Sequence, residues 1–196
     1  MSDSFNRFAG VFAILAGIGG FLYAVAFIIL RDPLLYSLFL LLIGLLATPT
    51  LVAVYQRLRA TDEAFAFWAF LLGIAGALGS AIHGGYDLAN AINPPDQNAA
   101  ALANLPSQVD PRGLLTFGVA GVALFVVSWL IARGGAFPKG LAYLGYLSAV
   151  LLVMLYLGRL IVLSPTNPII LVPALLNGFV VNPIFYIWLG LQLLRK

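Results

Sequence analysis

The stretch AFAFWAFLLGIAGALGSAIHGGYDLANA, residues 64–91, decides the fold. From Ala64 to Ile82 it carries no charge and is built of Leu, Ala, Gly, Phe and Ile. A helix that crosses a membrane needs roughly 20 mostly apolar residues, because the hydrocarbon core is roughly 30 Å thick and each helical residue rises 1.5 Å. This stretch is long enough. A transmembrane strand would instead alternate polar and apolar positions over about ten residues, and no such alternation is present. The stretch therefore predicts a spanning helix.

Five further runs read the same way. They cover about Phe8 to Leu30, Leu34 to Tyr55, Gly113 to Ala132, Gly140 to Leu163, and Ile169 to Leu194. The expectation is an all-α integral membrane bundle of six transmembrane helices, forming a single domain over 1–196. Composition agrees. Of 196 residues, 62% are hydrophobic and 9% charged, and the mean hydropathy is +1.04. A soluble domain averages about 45–50% apolar and about 25% charged. Ten basic residues against seven acidic ones leave a net charge of +3, too sparse for a nucleic-acid surface. Cysteine is absent and His83 is the one histidine, so disulfides, thiol chemistry, ordinary zinc sites and a bis-histidine haem within the chain are excluded. No P-loop or dinucleotide fingerprint is present; Gly17-Ile18-Gly19-Gly20 lies inside an apolar run. The first run exceeds a signal-peptide core, and only Arg7 precedes it, so it reads as a permanent span.

The connections are short and punctuated. Arg31-Asp32-Pro33 is a tight turn and 57–63 a short polar loop. Gly134-Gly135 with Pro138, and Ser164-Pro165-Thr166-Asn167-Pro168, break the later spans apart. The connection over 92–112 is the longest. It carries Pro94, Pro95, Pro106 and Pro111, and its Ala-rich middle, 97–104, reads as a short surface helix. By loop parity the amino-terminal side holds Arg7, Arg57, Arg59, Arg133, Lys139, Arg195 and Lys196, against Arg31 and Arg112 on the other side. That asymmetry predicts cytoplasmic N and C termini and an extracytoplasmic 92–112 loop. Trp68, Trp129 and Trp188 sit toward the inner helix ends, as an interfacial aromatic belt would.

Lipid gives no hydrophobic drive for helix association, so small residues must let the helices approach. Gly76, Ser80 and Gly84 form one four-residue ridge, and Ala16, Gly20 and Ala24 another; Gly118 and Gly121 thin the fourth span. Pro49 in Thr48-Pro49-Thr50, and Pro173 and Pro183, each remove a helical hydrogen bond and predict kinks, with threonine hydroxyls satisfying freed carbonyls. The sixth span, which also carries Asn177, Gly178 and Asn182, is the least regular. Transporters place broken helices of this kind at midplane sites.

One constellation carries chemistry. His83, Asp87 and Asn90 share a helical face in the outer half of the third span. Arg159 near the outer end of the fifth span, with Tyr156 one turn before it, is expected at similar depth, and Asn177 lies roughly two turns into the sixth. Ionisable residues in spanning helices cost about 2.5–3.5 kcal/mol on insertion scales and default to functional roles. Two readings follow. Asp87 and Arg159 pair as a structural clasp between spans three and five, with His83 donating to Asp87. Alternatively, the cluster binds a ligand: a quinone carbonyl or polar headgroup, or a single-histidine pigment (haem or (bacterio)chlorophyll) that approaches His83 past Gly84-Gly85. Ser80, His83 and Asp87 also carry a very weak echo of a hydrolase. No protein metal site is expected.

Residues Leu157-Gly158-Arg159-Leu160-Ile161, then Pro168, 174–179 and 183–190, together with the outer end of the third span, resemble the family called domain of unknown function 4386. The resemblance implies a multi-span bacterial membrane protein and no activity. The functional expectation is a small non-enzymatic protein of the bacterial cytoplasmic membrane. It would contact lipid or an apolar ligand as an accessory or scaffold subunit of a larger membrane complex, respiratory or photosynthetic, with other membrane-protein subunits as partners. The alternatives are a small-molecule binding protein or transporter with an outer-half pocket at His83, Asp87 and Arg159, and a single-histidine pigment protein.

Overall fold

The computed structural model describes residues 3–94, 109–162, 164 and 166–195. Pro95, Pro106, the 97–104 stretch, Pro165 and Lys196 lie outside the described residues. Among the described residues six helices are long and apolar enough to cross a membrane: α1 (Asp3–Leu30), α2 (Pro33–Leu58), α3 (Glu63–Ile92), α4 (Pro111–Arg133), α5 (Lys139–Ile161) and α6 (Pro168–Leu194). No strand occurs among the described residues.

The three helices that start at the end away from the termini share one starting device, an Asx-Pro pair. Asp32 accepts the amides of Leu34 and Leu35 ahead of Pro33. Asn167 accepts the amide of Ile169 beside Pro168. Asp110 accepts the amides of Leu115 and Thr116 after Pro111. The side chain satisfies amides that the first turn leaves unpaired, and proline fills a position that needs no donor. In its first turn α4 also passes through Arg112 and Gly113 at φ of 59° and 78°, the left-handed region that glycine adopts freely.

Each helix packs on its neighbours in sequence, and α6 closes back on α1, so the six form a ring. Small residues make the seams. A side chain at Gly10 would meet Gly190 and Leu194, and one at Gly178 would meet Ala24, across the α1–α6 seam. Gly44 lies against Ala77 and Ala81, and Gly84 against the α2 backbone at Ser37 and Leu41. Gly118 meets Tyr156, and Gly121 meets Val153. The expected Gly76-Ser80-Gly84 ridge is not one packing surface. Gly76 abuts Ala120 of α4 and Gly84 abuts α2, while Ser80 looks between them into the ring. The turn of α3 spreads these positions over two neighbours and the gap between them.

Pro49 sits within an unbroken α2. The Leu45 carbonyl it would have bonded receives the Thr48 hydroxyl at 2.8 Å. Three helices widen into π-helical turns: α1 at Val25–Leu30, α4 at Leu114–Val119 and α6 at Asn177–Val181. In α6 the Asn182 amide reaches back five residues to Asn177 just ahead of Pro183, so the sixth span is irregular as the sequence predicts.

The half of the ring nearer the termini is filled. Leu58, Leu130, Ile131, Leu141 and Leu193 are sealed there, with Phe137 and Phe185. Arg57 donates to the carbonyls of Gln192, Leu193 and Arg195 and so caps the carboxyl end of α6, where a cation meets the negative end of the helix dipole. Trp129 lies at this end too, under Arg133 and beside Phe65.

Candidate functional site

Above this filled end the ring is hollow, down to a floor on the core itself. A cavity of about 600 Å³ runs down its axis, with walls from all six helices. That is within the range of small-molecule sites, roughly 300–1,000 Å³. Its rim is formed by Asp32, Asn90, Pro94 and Arg112, and its floor by Val54, Val127 and Leu189. All three π-helical turns contribute wall residues: Phe27 and Ile28, Thr116 and Phe117, Asn177 and Gly178. Widened turns of this kind recur at functional sites because they re-aim side chains.

His83, Asp87, Asn90, Arg159 and Asn177 all line the cavity, as the sequence groups them. Tyr156 does not; its ring packs on Gly118, beside the small apolar cluster of Phe117, Leu155 and Ile170. Asn177 is buried and accepts the Ser148 hydroxyl at 2.8 Å, so it ties α6 to α5.

The clasp expected between Asp87 and Arg159 is not made. Among the described residues the ion pairs are both those of His83: Nδ1 to Asp110 at 3.2 Å and Nε2 to Asp87 at 3.4 Å. The Arg159 guanidinium lies instead over the Phe117 ring, 5.4 Å from its centre. Both charges line the cavity, and no ion pair joins them. Both act electrostatically on Tyr23 and His83.

Asp110 is the partner that the sequence reading missed. It is fully buried, and the described residues that bond to it include the Thr116 hydroxyl at 2.6 Å, the amides of Leu115 and Thr116, and His83. Burial by itself would raise the carboxyl, but the bonds from His83, Thr116 and Leu115 prevail and hold it at about 2. One carboxylate thus caps α4 and fixes His83, so the turn before α4 and the far half of α3 are one unit. Two carboxylates flank one imidazole, so the Asp110–His83–Asp87 row carries a formal negative charge whether or not His83 is charged, on the same cavity as the Arg159 cation. The sequence did carry a signal, an acidic residue ahead of proline at the start of an apolar run, as at Asp32-Pro33. Tyr23, Phe27 and Tyr36 were also missed. They form an aromatic wall along the cavity, with Phe27 centred 5.8 Å from Tyr23 and 5.3 Å from Tyr36.

The route past Gly84-Gly85 expected for a flat pigment is filled, because α2 lies against Gly84 and Leu41 against Gly85. Both His83 nitrogens are engaged, so neither is left to ligate a metal. Ser80, one turn from His83, donates to the Gly76 carbonyl at 3.0 Å. Among the described residues no three His, Asp or Glu side chains gather to hold an ion.

No protein-family model matches the chain, and no curated protein or solved structure does either.

Proposed function

We propose that the chain is a binding protein of the bacterial cytoplasmic membrane. It holds a small amphiphile in the ring cavity, with both termini cytoplasmic and the cavity mouth facing outward. The observation that carries this reading is the cavity itself: a charged tier of His83, Asp87 and Arg159 above a shaft that is mainly apolar, with Thr50, Asn177 and Asn182 among its lining. A ring packed solely for stability would close on itself, because a void forfeits dispersion contacts along its whole lining. The orientation rests on seven basic residues at the terminal side against two at the other. Binding is favoured over catalysis because His83 is occupied by two carboxylates and Ser80 is turned to its own backbone. Likeness to the domain of unknown function 4386 family is part of the proposal and adds no activity to it.

The second reading, an accessory subunit of a larger complex, is favoured by the wholly apolar outer face, where Leu15, Ile18, Phe125, Leu147 and Ile184 are all exposed. Lipid alone explains that face equally well. One purification separates the two. The protein is extracted from native membranes in a mild detergent and analysed by mass spectrometry, beside a Ser80→Phe variant whose ring fills the shaft. A small molecule retained by the wild type and absent from the variant supports binding. Larger subunits in fixed ratio, with an empty cavity, support the accessory role and overturn the first reading.

A further inference from the structure

The walls of the cavity carry opposite charges that do not neutralise each other. Arg159 has no carboxylate within ion-pair distance among the described residues and rests on an aromatic ring. Asp87 is 27% exposed, and of its two oxygens Oδ2 is the one that meets His83. No described residue donates a hydrogen bond to Oδ1, and Asp87 lines the same cavity as Arg159. Charges in a low-dielectric site need partners, since each left alone costs several kcal/mol of desolvation. An anion alone would satisfy Arg159 and be repelled by the Asp110–His83–Asp87 row. A cation alone would do the reverse. A head that carries both satisfies both.

The space below the charges sets the rest of the molecule. From His83 to Gly73 the α3 wall descends ~15 Å and is lined by Gly73, Gly76 and Ala77, with Leu51 and Val127 on the two neighbouring helices. The cavity reaches from Asp32 to Val54 along α2, roughly 30 Å of helix. A cavity of about 600 Å³ that is this deep is narrow, which favours a single alkyl chain.

Building on the binding reading, we propose that the ligand is a single-chain zwitterionic amphiphile. Its anionic group sits on Arg159, its ammonium on Asp87 Oδ1, and its chain in the shaft. Arg159 offers a planar fork that an oxyanion can engage with two bonds, and the Phe117 ring beneath it keeps the fork in place.

The test uses the full chain in dodecyl maltoside, with binding read by native mass spectrometry and by the shift in unfolding temperature. Four lauroyl or dodecyl probes are compared: lysophosphatidylethanolamine, lysophosphatidylglycerol, a trimethylammonium and a neutral glycerol ester. The zwitterion is expected to bind most tightly, by about tenfold or more over each of the others. Arg159→Gln should abolish that preference and favour the trimethylammonium, and Asp87→Asn should favour lysophosphatidylglycerol. Asp87→Asn keeps the side-chain shape and Arg159→Gln shortens it, so the unfolding of each without probe reports whether it is folded. Equal binding of all four probes overturns the zwitterion and leaves the amphiphile site standing. Lysophosphatidylglycerol binding as tightly as the zwitterion, with Asp87→Asn silent, overturns the role of Asp87. Failure of every probe, in a protein that folds and whose Ser80→Phe variant behaves identically, overturns the site as well.

Discussion

The two ends of the ring are built from the same helices and solve different problems. Near the termini, Leu58, Leu130, Ile131, Leu141 and Leu193 interdigitate until almost none of their surface is reachable. At the far end, walls of Gly73, Gly76, Ala77 and Ala47 stand back from the axis and leave a cavity. Small residues occur in both halves, but they act differently. Gly10 and Gly190 bring helices together at a seam, whereas Gly76 and Ser80 also face inward and enlarge the space. Backbone regularity follows the same division. The far half holds all three π-helical turns, and the Asp110–His83–Asp87 row. Close packing and the Arg57 cap hold the filled half, and the hollow half depends on polar ties to stay open.

The largest expected effects lie in the filled half. Leu130→Ala should cost about 3 kcal/mol, in the range of a buried leucine that leaves a void. Ser80→Leu, which adds bulk to the cavity, should change stability by less than about 1 kcal/mol, since the space to receive it exists. Reversible unfolding in mixed micelles measures both. Equal losses would erase the distinction between the two halves.

Asp110→Asn comes next. It weakens the α4 cap and the seat of His83 together, and a lost cap and a lost charged hydrogen bond each cost about 1–2 kcal/mol. The effect carries a pH signature. A carboxyl at about 2 in the folded protein against roughly 3.9 unfolded stabilises fully above pH about 4. That contribution, about 2 kcal/mol, fades as pH falls through about 2. The wild type should lose stability over that window by more than the variant does. Parallel curves would remove Asp110 from the linkage.

Arg57→Met should cost about 1 kcal/mol, the scale of a cap or dipole contact at a helix end. The loss should be local. Hydrogen exchange should quicken in the last turn of α6 and stay unchanged around His83, because the filled core lies between the two.

The sequence shows the spans plainly because apolar run length is a property of each segment alone. Irregularity in α6 was legible for the same reason, since Pro173 and Pro183 announce it. Depth along the axis was legible too, and it brought His83, Asp87, Arg159 and Asn177 to one cavity. Rotation about the helix axis was not. Tyr156 stands one turn from Arg159 and turns to α4 instead, and Gly84 turns to α2. Whether opposite charges at one depth touch depends on what fills the ring between them. No single helix encodes that.

That last point yields the smallest effect and the sharpest test of the hollow half. If Asp87 and Arg159 formed a clasp, removing either would strand the other, and removing both would recover much of the loss. With a cavity between them the two losses should add. The coupling in a cycle of Asp87→Asn, Arg159→Gln and the double variant should stay below about 0.5 kcal/mol without ligand. The matched cycle of Asp87→Asn with His83→Gln should exceed it, because that pair is in contact at 3.4 Å. Repeating the first cycle with bound lysophosphatidylethanolamine should raise its coupling above that bound, since one head then bridges both charges. A coupling that is large without ligand would mean the ring closes on itself at this depth, and the far half would then be a looser version of the filled one.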